Sequence, residues 1–212
     1  MSFYPYNPNI NHRLQSNAGG FKANRVFIAK YSWINPVLGT EDLSGLGNVA
    51  SSATLVTAVD LTALDQPDVP RNVVINPDGT VTDVKACNIT ITGTDMDDEV
   101  ITEDFAMSAN QAHDTKTTGN KAFKTITGIS IPAQDGGNAT FLFGYGAKLG
   151  LPYKRASHEI YKSTLAGSAE TITIASSATV LASNTVTCNT ALDGAKDLVI
   201  YEMLTGGADA EI

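Results

Sequence analysis

Apolar and polar residues alternate along much of this chain with a period of two. From Ala86 to Thr92, Cys87, Ile89 and Ile91 fall on one side and Asn88, Thr90 and Thr92 on the other. Successive strand side chains point to opposite faces, so this pattern predicts a half-buried strand. Val100 to Met107 is its expected hairpin partner, joined through Gly93–Glu99. Asn138 to Tyr145 repeats the pattern, with Phe141, Phe143 and Tyr145 on one face. Lys121 to Ile131 predicts a strand whose phase slips, because Ile126 belongs to one face and Ile129 with Ile131 to the other. Gly128 lies between them, which predicts a β-bulge there.

Other segments are read the same way. Arg25 to Trp33 predicts a first strand; both its faces are largely apolar, as if both were covered. Asn35 to Asn48 is rich in turn residues. Ser52 to Asp60 predicts a strand, and Asn72 to Asn76 a short apolar one. Pro77-Asp78-Gly79 is a turn signal, and Val81 to Val84 is either a return strand or loop. Ser108 to Asn120 reads as an exposed loop. Tyr153 to Leu165 suits a strand or a short helix. Thr171 to Ile174, Thr179 to Cys188 and Leu198 to Met203 predict three further strands.

About ten strands and no amphipathic helix predict an all-β fold, an antiparallel β-sandwich or barrel-like domain. Residues 1–24 have no periodicity and carry Pro5, Pro8 and Gly19-Gly20. They read as an extended N-terminal arm whose aromatics, Phe3, Tyr4 and Tyr6, are candidate partner-binding anchors. The expected organisation is this arm, a main β domain over 25–152, and a C-terminal β extension over 153–212 that can belong to the same fold.

Composition narrows the function. The chain has 212 residues, 42% of them hydrophobic and only 17% charged. Thr, Ser, Asn and Gly take the place of charged residues, which suits strands. Net charge is −8 and the 14 basic residues are scattered, the densest group being Lys148, Lys154 and Arg155. Nucleic-acid binding needs clustered positive charge, so none is expected. No apolar run approaches the ~20 residues of a membrane span. Met1 to Ile10 has neither a basic start nor an apolar stretch, which predicts no secretory leader. Cys87 and Cys188 are expected as free thiols, with a disulfide left open because spacing says nothing about distance.

Candidate chemistry is sparse. Asp95-Met96-Asp97-Asp98-Glu99 invites a calcium reading, but an EF-hand loop counted from Asp95 would need Gly and a carboxylate where Val100 and Ala106 stand. An exposed acidic turn is the preferred reading, with a looser cation site left open. His12, His113 and His158 lie in different segments and read as lone surface histidines. Glu103 and Asp104 are adjacent, so a strand sends them to opposite faces, which argues against a glycosidase pair. No phosphate loop, nucleophile elbow or zinc motif is present in the sequence. No catalytic, cofactor or metal residues are therefore assigned, and the chain is expected not to be an enzyme.

The run Arg71–Pro152 also resembles small virion proteins of tailed bacteriophages. The resemblance is carried by the strand entering Gly93-Thr94-Asp95, the Thr/Glu-rich return strand, Lys121-Ala122-Phe123, and the exit Lys148-Leu149-Gly150-Leu151-Pro152. It implies a non-enzymatic capsid decoration or cement protein that stabilises the shell. The implied partners are the major capsid protein and further copies of the chain, with a trimer favoured. The implied location is the capsid surface of the virion, after synthesis in the host cytoplasm. A tail, neck or head-fibre component is the alternative.

Overall fold

The computed structural model describes residues 26–34, 39–57, 65–113 and 115–205. The expected arm, with Phe3, Tyr4 and Tyr6, lies outside them. The described chain is antiparallel β throughout, with two one-turn 3-10 segments at Val81–Asp83 and Leu181–Ser183. The all-β expectation therefore holds.

The strands are β1 (Val26–Trp33), β2 (Asp42–Ala50), β3 (Arg71–Gly79), β4 (Cys87–Thr94), β5 (Val100–Met107), β6 (Thr117–Phe123), β7 (Thr125–Ser130) and β8 (Ala139–Gly150). β9 (Glu159–Leu165), β10 (Ser168–Ala169), β11 (Ile172–Ala175), β12 (Thr185–Cys188) and β13 (Leu198–Thr205) follow. They form three sheets, ordered β1-β13-β9-β10, β11-β12-β8-β3-β6 and β5-β4-β7, with β2 also paired to β8.

β8 is the axis of the molecule. β3 runs along one edge from Ala139 to Leu149. The other edge is shared by β2, opposite Thr140 to Tyr145, and β12, opposite Leu149 and Gly150. Its inward residues consequently serve two hydrophobic cores. Phe141 and Phe143 join Val73, Ile75, Ile89, Ile91, Phe105 and Phe123 in the first. Leu149 joins Leu151, Leu165, Val186, Leu198 and Ile200 in the second.

The β4–β5 hairpin pairs without interruption from Cys87↔Met107 to Thr94↔Val100. On the other side of β4 the register slips between Thr92↔Gly128 and Gly93↔Ile126, leaving Thr127 as the extra residue. This is the predicted bulge, one residue from Gly128. It returns Ile126 to the same buried side as Ile129 and Ile131. The outer edges of β5 and β6 meet through side chains. The Glu103 carboxylate accepts from the Asn120 and Lys121 N–H groups, and Lys121 Nζ donates to the Thr102 carbonyl.

Around the second core, β1 pairs with β13 from Val26↔Thr205 to Trp33↔Leu198. The pairing thus joins a strand of the expected main domain to one of the expected C-terminal extension. Only one face of β1 is covered: Ile28, on the other face, is 59% exposed. The largely apolar sequence of β1 reflects its inward set, Tyr31 and Trp33, rather than two buried faces.

Several expectations need correction. The turn-rich stretch Asn35–Asn48 contains most of β2. Gly45 marks close approach to the Tyr145 ring, and Gly47 adopts a positive φ of 121°. β2 crosses β8 at Gly144, where any Cβ would collide with the Asp42 carbonyl and the Leu43 backbone. Gly144→Ala should therefore cost about 1–3 kcal/mol by forcing the strands apart. A midpoint in urea indistinguishable from wild type would contradict this packing.

The Pro77-Asp78-Gly79 signal is not a turn, because β3 continues through it opposite Phe141, Thr140 and Ala139. Pairing with β6 stops at Ile75, so the missing proline N–H falls where one edge is free. Val81–Asp83 forms a 3-10 turn, and Thr117 already begins β6. Of Thr179–Cys188 only Thr185–Cys188 is strand. Ser52–Asp60 contributes a single bridge, Val56↔Ile131, up to residue 57; residues 58–60 lie outside the described set.

Candidate functional site

The sequence-level candidates resolve into local structural roles. Asp95 is buried, and its Oδ1 accepts the N–H groups of Asp97 and Glu99. Lys124 Nζ sits 2.7 Å from Asp98 Oδ1. The acidic segment is thus a self-capped hairpin turn with a lysine against it. Glu103 faces the β6 edge, whereas Asp104 accepts a hydrogen bond from Thr90 Oγ1 on β4. The two carboxylates serve different partners, as alternation predicted. His113 is half-exposed and lies 2.7 Å from Asp78 Oδ1. Both cysteines are free thiols, and burial pushes the Cys188 thiol up to about 11. Among the described residues, no group of three or more His, Cys, Asp or Glu is placed to hold a metal ion.

Among the described residues, a buried concentration of ionisable side chains lies elsewhere, beside the second core. Here the surface-histidine reading fails: the side chains of His158 and Glu202 are both 0% exposed. Their nearest atoms, Nδ1 and Oε1, are 2.7 Å apart. Glu202 projects inward because β13 alternates, placing it on the face of Leu198 and Ile200. His158 enters from the segment just before β9. Tyr31 of β1 donates its hydroxyl to Glu202 Oε2 at 2.7 Å. Arg155 lies 3.5 Å from Glu202 Oε1.

Asn184 completes the assembly and fixes its chemistry. Its Nδ2 donates to the carbonyls of Ser177, Val180 and Leu181. Oδ1 must therefore be the atom that faces His158 Nε2 at 2.9 Å and accepts the Ser177 N–H. Nε2 can only donate to it. If Glu202 is ionised, Nδ1 must donate as well, so the ring is an imidazolium.

Electrostatics agree with that assignment. Burial alone would favour neutral His158, but its bonds to Glu202 and Asn184 and the Glu202 charge outweigh it, and the histidine is raised above its ordinary value. Burial likewise works against an ionised Glu202. Its bonds from His158 and Tyr31, with the positive charges of His158 and Arg155, hold it below the ordinary carboxylate value. Tyr31 is pushed up by burial first and then by the bond it gives to Glu202. The result is a sealed ion pair, with its oxygens and nitrogens committed to neighbours.

Sequence reading missed this node, although one signal was present. Glu202 occupies an inward position of an otherwise apolar strand, and a buried carboxylate requires a partner. That partner is 44 residues away along the chain, and Tyr31 is 171 away.

A second buried charge supports the first core. Arg71 is fully buried in β3. It donates from Nε to the Gly146 carbonyl, from Nη1 to Gly39 and Asp68, and stacks 4.6 Å over the Tyr145 ring. Burial, followed by the nearby Asp68, raises the Tyr145 hydroxyl.

Both assemblies clamp strands and loops together, with His158, Glu202 and Arg71 fully buried. No family model fits the chain, and neither a curated protein nor a solved structure matches it.

Proposed function

We propose that the protein is a structural component of a tailed-bacteriophage virion, binding the assembled capsid as a non-enzymatic decoration or cement protein. The reading starts from the resemblance carried by Arg71–Pro152. The observation that supports it most is the use made of the ionisable groups. The histidine–carboxylate pair is 0% exposed and spent on internal bonds, so it braces the scaffold and does not face a substrate. What the described surface offers is strand area with large apolar residues at Ile28, Tyr161 and Val100. A rigid β scaffold making many modest contacts, repeated by shell symmetry, is a suitable way to bridge capsomers against internal pressure.

In this reading the partners are the major capsid protein and other copies of the chain, arranged as a trimer. The aromatics Phe3, Tyr4 and Tyr6 act as anchors from the N-terminal segment. Co-sedimentation tests the proposal: the protein should pellet with assembled shells and stay in solution with capsid monomers. Deleting residues 2–20 should leave the β scaffold folded and weaken shell binding by at least ~2 kcal/mol, the loss expected for one or two aromatic anchors. Failure to bind shells, or label confined to the tail or to one vertex in electron micrographs, would replace this reading with the tail or head-fibre one.

A further inference from the structure

We infer that His158 and Glu202 form a proton-operated latch that locks the 153–158 and 177–184 loops onto the sheet formed by β1, β13 and β9. The inference is independent of the virion reading, since it rests on hydrogen-bond valence in a sealed site.

Four chain segments meet at the pair. Glu202 comes from β13 and Tyr31 from β1. His158 and Arg155 come from the connection between β8 and β9, and Asn184 from the turn before β12. The loops are tied to each other by the Arg155↔Ser177 bridge and by the Arg155 N–H, which donates to Asn184 Oδ1, while Asn184 braces its own loop by holding the Ser177 N–H and carbonyl at once. Their connection to β13 passes through the His158 ring, with Arg155 beside it.

That ring has no alternative role. Asn184 Oδ1 needs a donor at Nε2, and the Glu202 carboxylate needs one at Nδ1. Removing the shared proton sets a lone pair against a carboxylate oxygen at 2.7 Å, with both groups excluded from water. Adding a proton to Glu202 while the ring stays charged removes the counter-charge, and the new O–H opposes either the Nδ1 donor at Oε1 or the Tyr31 donor at Oε2. Either change opens the contact. The other groups facing the pair are Tyr31, which keeps its proton, Tyr153 against the Tyr31 ring, and the Arg155 guanidinium.

The direction in pH follows. His158 is raised in the folded state, so its contribution is complete below 6.5 and is lost as pH rises through the folded value. Glu202 is lowered, so its contribution is complete above 4.5 and is lost as pH falls through its folded value. The latch is shut between these limits and opens on both sides.

The test is a pH series on the full chain, wild type beside Glu202→Gln. The amide keeps the shape of the side chain, donates to Nδ1 of a neutral ring and still accepts from Tyr31. In the wild type, amide exchange in 153–158 and 177–184, corrected for base catalysis, should quicken about tenfold per pH unit above 6.5 until the folded value is passed. Amides of β3 and β8 in the first core should not follow. In Glu202→Gln this alkaline rise should vanish, and acidification should loosen the loops instead, because a neutral ring must then be charged. Nitrogen NMR of the wild type, just below the onset of the rise, should show protons on both nitrogens of His158. The same pH slope in both proteins, or a singly protonated ring, would overturn the latch. If Glu202→Gln does not fold, the ring spectrum decides alone.

Discussion

Phe141→Ala is expected to lower the unfolding free energy by about 3–5 kcal/mol. The ring is 0% exposed and sits in the middle of the first core. Its backbone is flanked on both sides, by Val49 of β2 and by Pro77 of β3. A strand held along both edges cannot shift to fill the void, so the cavity cost adds to the lost burial. Equilibrium denaturation in urea should show a lower midpoint with an unchanged slope. A loss below about 1 kcal/mol would mean that the ring is not part of the core.

Glu202→Ala should be of similar size, about 3–5 kcal/mol, for a different reason. Little apolar area is lost. The substitution removes the carboxylate bonded to His158, leaving a sealed imidazole with Nδ1 unbonded and Arg155 without this counter-charge. Tyr31 also loses its acceptor. His158→Ala in the same background should add much less than it does alone, because its partner is already gone. Strictly additive losses in the double-mutant cycle would show that the two residues do not act as a unit.

These two sites also mark the boundary of what the sequence disclosed. Phe141 was legible: alternation around it is strict, and turn residues bound the segment. The β4–β5 hairpin and the slip at Gly128 were legible for the same reason, since each is a relation among near neighbours. β2 was not, because Gly45 and Gly47 read as turn residues, while Gly45 makes room for the Tyr145 ring and Gly47 takes a positive φ within the strand. Propensity describes what a residue favours on its own, and here tertiary contact decided. The His158–Glu202 pair was illegible because its members come from separate elements. Only the anomaly of a carboxylate among Leu198 and Ile200 hinted at it. The exposed side of β1 was misjudged because Ile28 is apolar and nothing local says which face is covered.

The pairing of β1 with β13 has a consequence for how the chain is made. The strands β2 to β8 that build the first core lie between Asp42 and Gly150, so a ribosome delivers them as a block. β1 is delivered before them, yet its neighbour starts only at Leu198. At ordinary elongation rates that delay is roughly 10–30 s. Throughout it, a strand carrying Tyr31 and Trp33 waits with both edges unpaired, and the aromatic side of the second core cannot close until residue 205 has been added. Nascent chains halted between Gly150 and Leu198 are therefore the form of this protein most open to strand-to-strand association with one another.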